Sequence, residues 1–316
     1  MIEQTIPSVD LSDFTRGTIE QKQSFVSALG KAYETIGFVA VKNHGIDEKL
    51  TEQLYDRVRQ FFELPLTIKQ QYELAELKGQ RGYIGFGKEH AKNSNAGDLK
   101  EFWHFGQEIS DEALRKQFEY PPNILCKEIP AFNEVGNKTY RALENTGRTI
   151  LKAIAIHLNL PEDFFEEYVI NGNSILRPIH YPPITQEPKN AVRAGEHEDI
   201  NLITLLIGAS ADGLQVKNKQ GEWIAVTAVP DHIIVNVGDM LQRLTNNTLK
   251  STTHRVVNPP KEQWNSSRYS IPFFLHPVSH MPLNCLAHCI KNEEKHYSDI
   301  TAGEYLLERL KEIGLA

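Results

Sequence analysis

Three side chains that can bind a metal ion stand in two short segments of the chain. In one segment His197 is followed two residues later by Asp199, and in the other His254 begins a β-rich run. Residues two apart in an extended segment point to the same side, so His197 and Asp199 could offer an imidazole nitrogen and a carboxylate oxygen to one ion. His254 would supply a third ligand, which reaches the ion from another strand and so from another direction. A second interpretation stays open, in which His197 caps a turn and His254 is a polar residue at a strand edge.

The chemistry predicted for such a site follows from its ligand set. Two histidines and one carboxylate leave three adjacent octahedral positions open. Non-haem Fe(II) oxygenases use this arrangement because a substrate, a co-substrate and O2 must meet at one metal. The pattern therefore predicts an iron site at His197, Asp199 and His254.

A second pair of polar residues, Arg268 and Ser270, follows His254 by 14 and 16 positions. The two-residue period of a strand puts them on one face, with Tyr269 and Ile271 on the other. A guanidinium inside a barrel is unfavourable unless it meets an anion, and a carboxylate bound by the guanidinium and the Ser hydroxyl would satisfy it. A carboxylate pocket beside an iron site is typical of 2-oxoglutarate binding. A structural salt bridge is the alternative role for Arg268.

Short β-rich runs carry these residues and follow one another after about residue 170. Turn sequences separate the runs and no long helical pattern intervenes, which indicates an antiparallel sandwich or barrel. The chain has neither a Gly-x-Gly-x-x-Gly nor a Gly-Lys-Ser/Thr phosphate loop, which excludes the common nucleotide-binding folds. The predicted strands cover residues 175–181, 202–207, 214–217, 223–226, 233–237, 254–258 and 269–275.

The remainder of the chain shows mostly helical patterns. Apolar residues recur at helical spacing over residues 18–34, 47–62, 132–158 and 301–313, with short strand-like runs at 6–11 and 37–41. We therefore predict a mixed α and β fold that forms one compact unit. Its predicted regions are a helical and mixed N-terminal region at 1–165, a β-rich core at 166–280 and a C-terminal extension with a helix at 281–316.

The composition argues against several classes of function. A formal net charge of -7 and the lack of a long Lys/Arg run disfavour a general nucleic-acid binder. The first residues do not form a signal peptide, and no apolar run approaches the roughly 20 residues that cross a bilayer. Cys126, Cys285 and Cys289 are predicted to be free thiols, not disulfides or a zinc site with His288. We expect a cytoplasmic protein with a small-molecule substrate, no nucleic acid and no membrane.

An ordered set of motifs makes a more specific prediction. In the β-rich region the motifs are Tyr181-Pro182-Pro183, His197-x-Asp199, Leu202-x-Thr204-Leu205-Leu206, Gly213-Leu214-Gln215-Val216, Gly221-x-Trp223, Val235-Asn236-Val237-Gly238-Asp239, His254-Arg255-Val256 and Arg268-x-Ser270. Upstream they are Ile6-Pro7-Ser8-Val9-Asp10, Gly37-Phe38, Asn43-His44-Gly45, Arg81-Gly82-Tyr83 and Lys100-Glu101-Phe102. With this set the chain resembles the Fe(II)/2-oxoglutarate dioxygenases, in their isopenicillin N synthase-like branch, over nearly its whole length.

The resemblance implies a double-stranded β-helix, or jelly roll, with flanking helices and a site at its open mouth. It implies that the metal triad is the one named above and that Arg268 and Ser270 bind the far carboxylate of 2-oxoglutarate. Tyr181 matches a position that often touches the co-substrate. Arg177, on the same predicted strand, could also reach the co-substrate or an acidic substrate, or serve as a scaffold residue. Plant members usually carry Asn-Tyr-Tyr-Pro-Pro where this chain has Ile179-His180-Tyr181-Pro182-Pro183, so the contact of that Asn is absent and we expect co-substrate binding on that side to differ. We expect His180 to point away from Tyr181 and not to be a ligand.

The implied activity is oxidation, by default hydroxylation, of a substrate C–H bond, with O2 consumed and 2-oxoglutarate converted to succinate and CO2. Two alternatives stay open: an Fe(II) oxidase of the same fold that does not use 2-oxoglutarate, and a non-catalytic jelly-roll binding protein. The substrate cavity is expected under the loop at 82–99 and the C-terminal helix. Phe102, Trp103 and Phe105 either line this cavity or pack under the N-terminal helices.

Overall fold

Strands and helices alternate irregularly along the chain. A computed structural model describes residues 6–77, 79–90, 97–118, 120–188, 190–208, 212–227, 231–290 and 294–312. Within these residues the strands are β1 Ser8–Asp10, β2 Phe38–Lys42, β3 Gly82–Ile84, β4 Glu101–Gly106, β5 Ile175–Leu176, β6 Ile179–Tyr181, β7 Ala194–His197, β8 Ile203–Ile207, β9 Leu214–Lys217, β10 Trp223–Ala225, β11 His232–Val237, β12 His254–Val256 and β13 Arg268–Leu275. The α-helices are α1 Leu11–Thr15, α2 Ile19–Thr35, α3 Glu48–Phe62, α4 Leu66–Lys69, α5 Glu112–Phe118, α6 Pro130–His157, α7 Glu166–Val169, α8 Asp239–Leu244, α9 Ala287–Ile290 and α10 Ala302–Glu312.

The strands form a larger and a smaller sheet. The larger sheet has the order β1-β2-β11-β8-β13-β5-β4-β3, and β6 pairs with both β13 and β4. The smaller sheet has the order β10-β9-β12-β7. Strand pairing in the described residues is antiparallel apart from the parallel pair β1 and β2. This is the mixed fold with a jelly-roll core and flanking helices that the sequence predicts.

The passage of the chain from one sheet to the other positions the predicted metal ligands. His197 ends β7 in the smaller sheet, and His254 is its direct partner at the start of β12. Asp199 lies in the connection from β7 to β8, which belongs to the larger sheet. The three residues therefore meet where the two sheets come together.

The first helices begin where the sequence places capping residues. Thr18 caps α2: its side chain accepts a hydrogen bond from the Gln21 backbone, and the Gln21 side chain accepts one from the Thr18 backbone. Asp47 caps α3 by accepting a hydrogen bond from the backbone N–H of Lys49. Such caps satisfy N–H groups that have no partner within a helix. They explain why the predicted starts at residues 18 and 47 agree with the structure.

The long helix α6 packs against the larger sheet. Its apolar face buries Leu143, Ile150, Leu151 and Ile154 at the predicted helical spacing. Gly147 lies on the same face, and a Cβ atom there would be 2.3 Å from Cδ1 of Leu275 on β13. A larger residue at this position would therefore require the Leu275 side chain to shift.

Several elements differ from the sequence expectations. The run predicted as one strand at 175–181 is two strands, because Pro178 has no N–H to give to a ladder. Helix α8 forms between the predicted strands at 233–237 and 254–258, in a region where the sequence indicated no long helix. Strand β4 was not predicted because all six of its residues are buried, so it has no alternating pattern. Strand β7, with the sequence Ala-Gly-Glu-His, was missed because it is short and mostly polar.

The strands of the N-terminal region also belong to the larger sheet: β2 pairs with β11, and β4 pairs with β5 and β6. The division at residues 165 and 280 stays a prediction. Cys126, Cys285 and Cys289 do not form disulfide bonds, as predicted. In the described part of the chain, no helix has the length and apolar character needed to cross a membrane. The cellular compartment stays a prediction.

Candidate functional site

The structure brings His197, Asp199 and His254 together. One ligand atom from each lies within 4.8 Å of the others, and no other such group of His, Cys, Asp or Glu occurs in the described residues. Oδ1 of Asp199 is 3.7 Å from Nε2 of His254 and 3.9 Å from Nε2 of His197. Bonds of about 2.0–2.2 Å to a single ion put neighbouring ligand atoms about 3–4 Å apart. The three groups thus have the spacing of a metal site.

Backbone carbonyls orient both imidazoles. Nδ1 of His197 is 2.8 Å from the Gly195 oxygen, and Nδ1 of His254 is 3.1 Å from the Thr252 oxygen. A carbonyl only accepts hydrogen bonds, so each Nδ1 carries a proton, and in the neutral imidazole the lone pair then lies on Nε2. Both lone pairs belong to the atoms nearest to Asp199, which is the state required for metal binding.

The two carboxylate oxygens of Asp199 have different partners. Oδ2 accepts hydrogen bonds from Oγ1 of Thr204 at 2.6 Å and from Nδ2 of Asn236 at 2.8 Å. Asn201 in turn donates to Oγ1 of Thr204. Burial alone would raise the pKa of Asp199, but His254, His197 and these hydrogen bonds lower it below its usual value. Oδ1 is therefore left ionised and turned toward the imidazoles.

Neither Thr204 nor Asn236 was predicted to be a site residue. Both occur in motifs that carry the family resemblance, Leu202-x-Thr204 and Val235-Asn236, and that was the available signal. Their side chains are buried polar groups on β8 and β11. A buried polar side chain on an otherwise apolar strand needs a hydrogen-bond partner, which points toward a polar site.

A small cavity of about 70 Å³ adjoins the triad and contains the predicted carboxylate-binding residues. Arg268 and Ser270 line it, as the two-residue period predicts, together with Tyr181 from β6. Arg268 lies directly opposite Tyr181 in the strand pair, with its guanidinium carbon 5.0 Å from the centre of the ring. Tyr269, on the other face, stacks on His180.

His180 lies away from this cavity, as expected. Its Nδ1 is 2.8 Å from the Glu101 carboxylate and its Nε2 is 3.0 Å from the Ser267 hydroxyl. Glu101 also accepts hydrogen bonds from Lys69 and Tyr83. The residue therefore belongs to a buried polar network and not to the metal site.

Arg193 is a second buried arginine near Tyr181 that the sequence did not single out. Its guanidinium carbon is 5.9 Å from the centre of the Tyr181 ring, and Nη2 donates to the Ser266 carbonyl at 3.2 Å. Burial and the charge of Arg268 lower the pKa of Arg193 to about 10. It stays cationic at neutral pH. The only sequence signal was an arginine four residues before His197, which has no meaning without the tertiary structure.

Arg177 lines both the small cavity that contains Arg268 and Ser270 and a larger cavity. Its Nε donates to Nε2 of His104 at 2.6 Å, and its Nη1 is 3.3 Å from both oxygens of Glu89. Burial and the adjacent Arg177 hold the pKa of His104 well below its usual value. His104 is therefore a neutral imidazole whose Nε2 accepts the hydrogen bond from Arg177. Its Nδ1 carries the proton and donates a hydrogen bond to the Gly79 carbonyl.

The larger cavity, of about 460 Å³, is also lined by His197 and Asp199. Its walls include Glu89, Asp98 and Lys100 near the loop at 82–99, the β5 and β13 segments, and Leu306 and Leu310 of α10. Several of its charged side chains pair with each other, as Lys100 does with Asp98 at 2.8 Å.

The three aromatic residues of β4 do not line either cavity. Trp103 and Phe105 pack against Phe132 of α6, and Phe102 lies under the guanidinium of Arg177. Of the two roles that the sequence left open, the structure therefore shows packing under a helix of the N-terminal region for Trp103 and Phe105, whereas Phe102 packs against Arg177.

Comparison with known proteins adds independent findings. Residues 172–277 match the family model of the 2OG-Fe(II) oxygenase superfamily, and residues 6–128 match that of the non-haem dioxygenase in morphine synthesis N-terminal region. The 2-oxoglutarate-Fe(II) type oxidoreductase hxnY of Emericella nidulans is 30% identical over 305 residues, which cover 93% of this chain and 86% of that protein.

Two solved structures are similar over almost the whole chain. A putative 2OG-Fe(II) oxygenase family protein from Caulobacter crescentus is 41% identical with a TM-score of 0.87, covering 98% of this chain and 99% of that one. A full-length Neurospora crassa protein, solved in complex with alpha-KG and thymine, is 31% identical with a TM-score of 0.86, covering 98% and 97%.

Proposed function

Since the chain belongs to the 2-oxoglutarate-Fe(II) oxygenase superfamily, we propose that His197, Asp199 and His254 are the ligands of its Fe(II). The observation that carries this proposal is the convergence of three ligand atoms within 4.8 Å. As a 2-oxoglutarate-dependent dioxygenase, the protein has the predicted co-substrate. The two alternatives, an oxidase that does without 2-oxoglutarate and a non-catalytic binding protein, are not supported.

The donor set fits Fe(II). Two neutral imidazoles and a carboxylate are ligands that iron accepts, and their hydrogen bonds to backbone carbonyls, Thr204 and Asn236 support their orientation. His197 and Asp199 line both cavities, so one side of the triad faces space for a co-substrate and a substrate. When bound, the iron would supply the O2 activation that couples 2-oxoglutarate decarboxylation, to succinate and CO2, to oxidation of a substrate C–H bond.

We propose that the smaller cavity binds the distal carboxylate of 2-oxoglutarate. Arg268 would bind it as a charged donor and Ser270 would add one hydrogen bond, because both side chains are buried and line the cavity. Tyr181 would form one wall beside the guanidinium of Arg268. Arg177 lines both cavities and would contact the co-substrate or the substrate, while Glu89 balances its charge.

The larger cavity is proposed to bind a small-molecule substrate for hydroxylation. Its volume of about 460 Å³ is in the range of small-molecule sites. The Neurospora relative was solved with thymine, so a molecule of nucleobase size is the first candidate. The internal pairing of Lys100 with Asp98 and of Arg177 with Glu89 favours an uncharged substrate.

The experiment is removal of the carboxylate ligand in the variant Asp199→Ala. We expect it to lose Fe(II) binding and to reduce succinate formation by more than about 100-fold, since loss of a ligand is more severe than loss of an orienting partner. Iron content is measured on anaerobically loaded protein, and succinate is measured with 2-oxoglutarate, O2 and thymine as the first substrate.

The matched control is Asp56→Ala, which removes an exposed carboxylate on α3. It should bind iron and form succinate like the unaltered protein. Full iron loading and full turnover in Asp199→Ala would show that the ligand assignment is wrong.

A further inference from the structure

Two guanidinium groups lie beside the ring of Tyr181. That of Arg268 is 5.0 Å and that of Arg193 is 5.9 Å from the ring centre. The two residues are only 1% and 2% exposed. Two positive charges have therefore been removed from water close to the same aromatic side chain, although like charges repel more strongly in such surroundings than in water.

The surroundings of Arg193 do not neutralise its charge. Among the described residues, its guanidinium donates from Nη2 to the Ser266 carbonyl, and its Nε has no hydrogen-bond partner. Burial and the charge of Arg268 lower its pKa, and Tyr181 is the group that acts in the opposite direction. A buried cation with so little compensation is unfavourable for folding, so its presence favours a role in binding an anion.

We propose that Arg193 is a positioning residue for 2-oxoglutarate: its charge adds to that of Arg268 to attract the distal carboxylate, and its contact with Tyr181 holds that ring beside the pocket. This inference rests on the proposed function, since it takes the cavity of Arg268 and Ser270 as the carboxylate site. Arg193 does not line that cavity itself, so it acts through the electrostatic potential and through the ring of Tyr181.

If Arg193 positions 2-oxoglutarate, removing its charge has a different effect on stability and affinity from removing a structural arginine. Removing the charge of Arg193 takes away repulsion and an uncompensated buried cation, so the ligand-free protein should be equally or more stable. The same change should weaken 2-oxoglutarate binding, because the site becomes less positive. Stability and affinity are thus expected to respond in different directions, whereas loss of a structural contact would lower the stability of the ligand-free protein.

The test compares Arg193→Met, which keeps an unbranched apolar chain, with the conservative variant Arg193→Lys. Binding of 2-oxoglutarate to anaerobic Fe(II)-loaded protein is measured by calorimetric titration, and the thermal midpoint is measured without ligand. We expect the dissociation constant to rise about tenfold in Arg193→Met, with most of the affinity retained in Arg193→Lys. The thermal midpoint of Arg193→Met should be unchanged or higher.

Two controls test whether the effect of Arg193→Met is specific to this arginine and to the distal carboxylate. 2-Oxobutyrate has the same 2-oxo acid group but no distal carboxylate, so its affinity should be the same in Arg193→Met and in the unaltered protein. Arg141→Met removes an arginine that also contacts a tyrosine ring, that of Tyr140 on α6, and it should not change 2-oxoglutarate binding.

A further variant, Arg268→Met, separates failure of this inference from failure of the proposed function. If it weakens 2-oxoglutarate binding while Arg193→Met does not, the carboxylate site stands and the role of Arg193 is overturned. If neither variant changes binding, the proposed carboxylate site itself is wrong. Equal weakening of 2-oxoglutarate and 2-oxobutyrate, together with a lower thermal midpoint in Arg193→Met, would make Arg193 a structural residue and overturn the inference.

Discussion

At the residue scale, the two carboxylate oxygens of Asp199 have different roles in the site. Oδ1 faces the imidazoles of His197 and His254, while Oδ2 is held by Thr204 and Asn236. A carboxylate with both oxygens free would rotate and offer the metal several geometries. The hydrogen bonds to Oδ2 select one orientation before any metal binds, which is the usual role of groups behind a metal ligand.

Thr204→Val tests this orientation because it removes the hydroxyl donor and keeps the branched shape. We expect the affinity for Fe(II) to fall about 10- to 100-fold, since Oδ2 loses its shortest hydrogen bond. The measurement is an anaerobic titration of Fe(II) against a competing chelator. Thr245→Val is the control: this threonine is also buried, but its hydroxyl bonds to the Leu241 carbonyl of α8. If the two variants bound iron equally well, orientation by Thr204 would be excluded.

At the scale of elements, the contact between α6 and the larger sheet sets how closely the helical layer approaches the strands that carry the site. Gly147 lies in this contact and faces Leu275 of β13 and Leu205 of β8. Strand β13 also contains Arg268 and Ser270 at its other end. Packing of α6 therefore supports the strand on which the proposed carboxylate site is built.

Gly147→Val should disturb this contact, because its Cβ would lie 2.3 Å from Leu275 and its branched methyl groups would need still more space. We expect a loss of about 1–3 kcal/mol in the free energy of unfolding, measured by urea denaturation. Asn145→Val introduces the same residue at an exposed position of the same helix and should change stability by no more than about 0.5 kcal/mol. A Gly147→Val protein as stable as this control would contradict the close packing.

At the scale of the whole molecule, the two sheets are joined at the triad. His197 and His254 belong to the smaller sheet, and Asp199 lies in the connection to the larger one. A metal ion bound to all three would link the sheets. Ligand binding should therefore be measurable as stability of the entire fold, since a ligand that binds only the folded state stabilises it by mass action.

Fe(II) at a hundredfold excess over its dissociation constant should raise the free energy of unfolding by about 2.7 kcal/mol, and 2-oxoglutarate at the same excess should add a similar amount. Anaerobic calorimetry of thermal unfolding, with and without both ligands, measures the increase, and a chelator should reverse it. In Asp199→Ala the metal-dependent part should disappear. An unfolding midpoint that did not respond to Fe(II) in the unaltered protein would contradict a metal link between the sheets.

Local sequence determined those features that depend on period and spacing. The two-residue alternation around Arg268 and Ser270 put both on one face, and the helical spacing of apolar residues located α2, α3 and α6. The spacing of His197 and Asp199 indicated one ion. These features can be predicted from the sequence because the direction of a side chain within a helix or strand depends on its position relative to its neighbours in the chain.

Only the tertiary structure decided which distant residues meet. It placed Thr204 and Asn236 behind Asp199, Arg193 beside Tyr181, and Glu89 against Arg177, 88 positions further along the chain. It also formed β4, whose residues are buried on both faces and show no alternation. Such contacts depend on strand register and on the meeting of two sheets, and a local pattern of residues does not encode either of these.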